Sequence, residues 1–179
     1  MSTTEHQLSG YRVTVENGRP DIATSDLLTR LGSALALIDQ YTPHYGRHLR
    51  RDFTGLIVRR FACRGAFFAD TGLCLVELTF CVHPDISEAQ IAATILHEGM
   101  HARLHALGLA SPARHRAREE RFCRRAEIEF GRLVPGGDVI VERALAALQL
   151  PDHDVAPEID WQLAERRVAE ADREARRLT

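Results

Sequence analysis

Residues 91–107 contain two histidines and a glutamate at a spacing suited to metal chemistry. The segment reads IAATILHEGMHARLHAL, in which His97, Glu98 and His101 form the pattern H-E-x-x-H. In an α-helix, residues four apart lie one turn above each other on the same face, so the two imidazoles would point the same way. Two imidazoles can bind Zn²⁺, and a neighbouring carboxylate can take a proton from water. The sequence therefore predicts His97 and His101 as zinc ligands and Glu98 as a general base.

A helical wheel of this segment separates a polar stripe from a broad apolar arc. The stripe consists of Gln90, Thr94, His97, Glu98, His101 and His105. The rest is apolar apart from Arg103, which indicates a mostly buried helix. Burying unpaired titratable groups is costly, so we expect the stripe to face a cleft or a bound ion. The competing interpretation is that the histidines are structural and are satisfied by hydrogen bonds alone.

The segment resembles the active-site helix of the zincin metallopeptidases. The metzincin branch continues H-E-x-x-H-x-x-G-x-x-H, but Leu104 and Leu107 stand at those positions, which excludes that branch. The chain is similar instead to the gluzincins, in which a glutamate on a second helix is the third zinc ligand. The resemblance implies a zinc-dependent peptidase of peptide or protein substrates, in which Zn²⁺ polarises the scissile carbonyl and Glu98 passes a proton from water to the leaving amine.

The third ligand implied by this resemblance has several candidates in the segment RAREERFCRRAEIEF. Its glutamates are Glu119, Glu120, Glu127 and Glu129. Glu120 is favoured because it follows His101 by 19 positions, a separation that resembles the thermolysin-like gluzincins. A helical wheel places Glu120 and Glu127 at the edge of an apolar arc formed by Phe122, Cys123, Ala126, Phe130 and Leu133. Glu119 projects into that arc and stays the alternative ligand.

Two further roles near the predicted metal stay open. Glu127 either holds the distal ring nitrogen of a liganding histidine or forms a salt bridge with Arg124 or Arg114. No motif selects the group that stabilises the oxyanion of the tetrahedral intermediate. The candidates are His105, His115, Arg118, Arg124 and His153.

The elements around the motif indicate an α+β fold. The segments GLIVRRF, AFFAD and LCLVELTFCV predict a three-stranded antiparallel meander. Ser87 and Gln90 form a capping box that begins the H-E-x-x-H helix, and Gly108 ends it. Further helices are predicted over residues 26–41 with Ser25 as cap, from Ser111-Pro112 to Val134, and over 138–150 and 158–178. The resemblance implies a zincin-like arrangement, with a small antiparallel sheet packed on the active-site helix, a sheet edge that pairs with an extended substrate, and a mostly helical C-terminal half.

The length predicts one domain over residues 1–179. Residues 1–20 are polar and interrupted by glycine and proline, apart from the strand-like YRVTVEN, so we expect poor order there. Residues 158–179 predict a charged C-terminal helix whose narrow apolar face suits docking on the body or on a second subunit, and the oligomeric state stays open.

Composition narrows the classes of partner. A net charge of −2 gives no general attraction to nucleic acid or to an acidic membrane. All 23 basic residues are arginines, which excludes a lysine nucleophile. The cysteines lack a C-x-x-C pair and are expected to be reduced and mostly buried; they are Cys63, Cys74, Cys81 and Cys123. The sequence shows no leader-like or membrane-spanning pattern, so we expect a cytoplasmic protein.

Two other functions compete with the peptidase. The first is a zincin-like module that binds zinc for regulation or interaction and has no proteolytic activity. The second is an arginine-rich nucleic-acid binder, suggested by seven arginines between residues 111 and 134. Interspersed glutamates, without aromatic residues on the same face, favour a salt-bridged surface over nucleic-acid binding.

Overall fold

A five-stranded mixed sheet carries the core of the protein. The computed structural model describes residues 2–110, 116–156 and 160–177. The strands are β1 (Ser2–Leu8), β2 (Tyr11–Asn17), β3 (Gly55–Arg59), β4 (Gly65–Phe68) and β5 (Leu73–Glu77). The helices are α1 (Thr24–Tyr41), α2 (Pro43–Asp52), α3 (Leu78–Val82), α4 (Glu88–Ala106), α5 (Arg116–Leu133), α6 (Asp138–Leu148), α7 (Asp152–Val155) and α8 (Trp161–Arg177). The α+β class and the mostly helical C-terminal half agree with the sequence prediction.

The sheet is not the antiparallel meander that the sequence predicted. Its order is β1-β2-β3-β5-β4, in which β3 is parallel to both β2 and β5. The chain leaves β3, passes beyond β5 and returns through Asp70-Thr71-Gly72, so β4 pairs antiparallel with β5 from the outside. β3 and β5 are largely buried, as central parallel strands usually are, whereas β4 is half-buried along its length.

The predicted last strand is also shorter than expected. LCLVELTFCV forms β5 only as far as Glu77, and its second half is the helix α3. The Glu77 carboxylate accepts a hydrogen bond from the backbone N–H of Phe80 at 2.7 Å. This cap satisfies a free N–H at the start of α3, which explains why the strand ends there.

The first residues form a hairpin, where the sequence predicted poor order. β1 and β2 pair antiparallel along their full length, through a turn in which Ser9 and Gly10 have positive φ. β2 is the expected strand, and it buries Tyr11, Val13 and Val15. Its partner β1 is polar and mostly exposed, so it lacks the apolar alternation that marks a strand in sequence.

Helix boundaries follow the local signals in most places. Ser87 Oγ accepts from Gln90 N–H, and Gln90 Oε1 accepts from Ser87 N–H, so the predicted capping box is confirmed. Gly108 follows the end of α4 with φ +66°. Ser25 does not cap α1; Ala23 is the N-cap, and Ser25 lies inside the helix. The predicted starts at Ser111-Pro112 and at residue 158 lie outside the described residues.

Helix α4 lies in the middle of the protein and is buried on most sides. It packs against α1, α2 and α5, and its residues Ile91, Ile95 and Leu96 join Val13 and Val58 of the sheet in one core cluster. Deep burial fixes α4 rigidly, which suits a helix that positions reactive side chains. In the described part of the chain, every helix is too short or too polar to cross a lipid bilayer.

Candidate metal centre

Helices α4 and α5 bring the predicted site residues together. His97 and His101 lie one turn apart on α4, with ring centroids 5.1 Å apart. The facing side of α5 presents Glu120, Cys123 and Glu127, all buried. These three residues follow the i, i+3, i+7 spacing of one helical face. The two helices therefore enclose a group of imidazole, carboxylate and thiol side chains.

Glu120 lies between the two imidazoles. Its Oε2 is 3.1 Å from His97 Nε2, and its Oε1 is 3.4 Å from His101 Nε2. Glu119 lies on a different side of the His101 ring, with Oε2 3.5 Å from Nδ1. The carboxylate that contacts both Nε2 atoms is therefore that of Glu120, whereas the Glu119 carboxylate contacts His101 at Nδ1.

Cys123 joins this group, and the sequence interpretation treated it only as a buried thiol. The ligand atoms of His97, His101 and Cys123 lie within 4.8 Å of one another. Cys123 is fully buried and free. The available signal was its position, three residues after Glu120 and therefore on the same helical face.

Glu127 contacts the far side of the His97 ring. Its Oε1 is 2.6 Å from His97 Nδ1. Arg124 donates to the same oxygen at 2.6 Å, and Arg143 of α6 donates to Oε2 at 3.1 Å. Glu127 therefore contacts the distal ring nitrogen of His97 and forms a salt bridge with Arg124 at the same time, whereas the alternative partner Arg114 lies outside the described residues. A proton on Nδ1 shared with Glu127 leaves Nε2 directed at the space between the two helices.

The surroundings of His97 favour the doubly protonated, positively charged form of its ring. Burial opposes charge on this ring, but hydrogen bonds to Glu120 and Glu127 outweigh it and raise the pKa of His97 to about 9. Burial also opposes ionisation of the two carboxylates, yet their contacts with histidine lower the pKa of both Glu120 and Glu127. The centre therefore pairs buried anions with a bound proton, and a metal cation can replace that proton.

Glu98 has the opposite behaviour. Burial raises the pKa of its carboxyl group, and attraction to His97 and His101 only partly offsets this. Glu98 nevertheless lines an open cleft of about 820 Å³, together with His97 and His101. A raised pKa is the property expected of a carboxylate that accepts a proton beside a group of ligand atoms.

The strand β4 forms one wall of this cleft. Gly65, its first residue, lies directly against α4: a Cβ there would be 2.7 Å from Thr94 Cγ2 and 3.1 Å from Glu98 Oε1. Only glycine permits this approach without displacing a neighbour. Phe61 and Trp161 line the same cleft, with ring centroids 5.6 Å apart. The cleft thus combines a strand edge, Glu98 and an aromatic wall.

The cleft separates the proposed oxyanion partners into two sets. His105 and Arg124 line it, as do Arg116 and Arg143, which the sequence interpretation did not select. Arg118 lies instead over the ring of Phe122, and His153 is 80% exposed on α7. His115 lies outside the described residues. Of the original candidates that the structure describes, His105 and Arg124 are therefore the ones that line the cleft.

The apolar arc predicted for α5 is only partly correct. Phe130 and Ala126 are buried as expected, but Phe122 and Leu133 are 37% and 52% exposed. The helix is rotated so that Glu120, Cys123 and Glu127 face α4. Contacts with the histidines and arginines decide this rotation, and a wheel based on hydrophobicity does not include them.

Comparisons of this chain with protein-family models, curated proteins and solved structures found no match. The centre offers two imidazoles, a carboxylate and a thiol. Zinc takes nitrogen, sulfur and carboxylate ligands, whereas calcium and magnesium take shells made mainly of oxygen. The residues present therefore fit Zn²⁺ better than a hard cation.

Proposed function

We propose that the protein is a zinc-dependent peptidase of the gluzincin type. His97, His101 and Glu120 would hold the metal. The observation that carries this proposal is the placement of the Glu120 carboxylate 3.1 Å and 3.4 Å from the two Nε2 atoms. When bound, zinc would supply Lewis acidity that polarises the scissile carbonyl and acidifies water.

Glu98 is the proposed general base. Its carboxylate accepts a proton from the attacking water and then donates it to the nitrogen of the leaving amine. The raised pKa of Glu98 suits both steps, because the protonated form persists closer to neutral pH than that of an exposed glutamate. Glu127 orients the His97 ring through Nδ1, and Arg124 and Arg143 hold Glu127 in place.

The edge strand supports an extended peptide as substrate. β4 is the last strand of the sheet and lines the cleft beside Glu98. An extended chain can add to such an edge through backbone hydrogen bonds. We therefore propose a zincin-like fold, because a sheet edge flanks the cleft and the H-E-x-x-H helix carries Glu98 beneath it. The substrate is a peptide or an unfolded protein segment.

Metal analysis combined with a peptide-cleavage assay tests this proposal. We expect zinc in the purified wild-type protein and little zinc in His97→Ala. Glu98→Gln should retain zinc and lose cleavage of unfolded protein substrates. His105→Ala is the matched control for metal binding, because His105 is one turn beyond His101 on α4 and contacts Phe67 rather than Glu120.

Two outcomes would contradict the proposal in different ways. Equal zinc content in wild type and His97→Ala would exclude the proposed metal site. Zinc binding without cleavage by wild type, over a broad set of peptides, would support the non-proteolytic zinc-binding module instead.

A further inference from the structure

A thiol lies beside the three proposed zinc ligands. We propose that Cys123 is a fourth protein ligand of the same metal, and that its thiolate, in reversible exchange with water at that position, holds part of the enzyme in a closed, inactive form. This inference rests on the proposed zinc site and adds a regulatory state to it. It starts from the grouping of Cys123 Sγ with the ring nitrogens of His97 and His101.

The distances favour ligation by Cys123 after a small adjustment. With Zn–S about 2.3 Å and Zn–N about 2.1 Å, the donor atoms of a tetrahedral site are about 3.6 Å apart. The three donor atoms of His97, His101 and Cys123 already lie within 4.8 Å of one another. The donor atoms therefore need to approach one another by only about 1 Å to form such a shell, a displacement of the size that side-chain rotation can supply.

The position of Cys123 on α5 makes it part of the same wall as Glu120. It follows Glu120 by one turn, and its side chain is 0% exposed while Glu120 is 8% exposed. The thiol is thus the deeper of the two donors. Metal held by His97 and His101 of α4 would meet Glu120 and Cys123 of α5, which joins the two helices across the centre.

Four protein ligands have a direct chemical consequence. Structural zinc sites are closed by four protein ligands, whereas catalytic sites keep one position for water or substrate. Binding of Cys123 would release its thiol proton to solvent, and Glu98 would then have no activated water to deprotonate. In the reverse exchange the sulfur would take up a proton and water would replace it, while His97, His101 and Glu120 would stay as ligands. A thiolate also favours zinc and cobalt over magnesium and calcium.

Cobalt spectroscopy tests the ligation directly. The probe is Co²⁺ added to metal-free full-length protein, which reports a bound thiolate by a near-ultraviolet charge-transfer band and the whole site by visible bands. We expect both signals in wild type, and only the visible bands in Cys123→Ser and Cys123→Ala. Cys63→Ser is the matched control: Cys63 also lines the cleft, but its Sγ is 3.0 Å from the carbonyl oxygen of Gly65. It should retain the charge-transfer band.

Each result decides a different point. Visible bands without the charge-transfer band in wild type would overturn ligation by Cys123 and leave the zinc site intact. No cobalt binding by wild type would overturn the proposed function itself. Two substitutions are used because a serine hydroxyl in a buried position can destabilise the fold where alanine does not.

Metal affinity and activity test the closed form. Loss of an outer partner of a ligand weakens metal binding by about tenfold or more, so loss of the ligand itself in Cys123→Ala should weaken zinc binding at least that much, measured by competition with a chromogenic chelator. The same variant, saturated with zinc, should cleave peptides several-fold faster than wild type because its fourth position is always free. A rate at or below that of wild type would overturn the closed form.

Discussion

Replacing Glu127 should show how much of the metal affinity depends on the orientation of the His97 ring, because Glu127 contacts that ring and is not itself a proposed ligand. It is 1% exposed and touches three basic groups, His97, Arg124 and Arg143, but lies on the far side of His97 from Glu120. Replacement by alanine leaves those groups without their shared anion. Replacement by glutamine keeps the shape and removes the charge.

The expected loss of stability follows from the burial of each partner. Breaking a buried ion pair costs roughly 3–5 kcal/mol when the remaining charge stays buried. Arg124 and Arg143 are 26% and 33% exposed and can regain water, so we expect the lower end, about 3 kcal/mol, for Glu127→Ala in the metal-free protein. Glutamine can still accept a hydrogen bond, so Glu127→Gln should lose about 1–2 kcal/mol.

Zinc binding should respond as well, although Glu127 is not a proposed ligand. Groups that orient a liganding histidine typically contribute about 10- to 100-fold in metal affinity, so Glu127→Gln should weaken zinc binding by that factor. The free energy of unfolding is measured by urea titration, and zinc affinity by chelator competition.

Glu129→Gln is the matched control for Glu127→Gln. Glu129 lies on the exposed side of α5 and bonds to Tyr45 and His44 on the surface. Its loss should change stability by no more than about 0.5 kcal/mol and leave zinc affinity unchanged. Equal effects of Glu127→Gln and Glu129→Gln on both measurements would refute the assigned role of Glu127.

Three further predictions concern pH, the cleft wall and the last helix. The pKa of His97 is about 9 in the folded, metal-free protein and about 6.5 when unfolded. The stability contributed by its extra proton is therefore fully present below about pH 6.5 and is lost as the pH rises towards 9. Urea titrations with chelator should show a loss of about 3 kcal/mol over that interval, absent in His97→Gln. Gly65→Ala should reduce peptide cleavage by about tenfold or more without changing zinc content. Adding Thr94→Ser, which removes the clashing Cγ2, should restore part of the rate. An unchanged cleavage rate in Gly65→Ala would exclude a close role for β4. Asp172→Asn removes the carboxylate of α8 that pairs with Arg19 and Arg60, so the fluorescence of the single tryptophan, Trp161, should shift to longer wavelength. The shift in an exposed control, Glu170→Gln, should be negligible.

The helix that carries the motif was predictable because its signals are local. The capping box at Ser87 and Gln90 and the stop at Gly108 set its ends, and the apolar arc predicted its burial. His97 and His101 share a face for the same reason, since helical periodicity alone places residues four apart together. The general location of the cleft followed from these local patterns.

The sheet order and the outer partners of the site depend on contacts between distant residues. Nothing in GLIVRRF or LCLVEL states that these strands lie side by side and parallel, because the position of β4 beyond β5 is a tertiary result. Arg143 belongs to α6 and reaches Glu127 only after α5 and α6 pack together. The rotation of α5 depends on the same contacts. A helical wheel based on hydrophobicity does not include them, so it placed the exposed Phe122 in the buried arc.

The burial of Glu120 and Glu127 on one face of α5 accounts for the rotation of this helix and underlies the proposed metal site. Two buried carboxylates without partners would destabilise the fold strongly, so the helix can face inward only where positive charge meets it. Arg124 and Arg143 satisfy Glu127. The Glu120 carboxylate relies mainly on the histidines and the proton of His97, with Arg116 at a longer distance of 4.0 Å. A divalent cation supplies more charge than that proton at the same place. Binding should therefore stabilise the packing of α4 on α5, and zinc should raise the free energy of unfolding most in the pH range where His97 loses its proton.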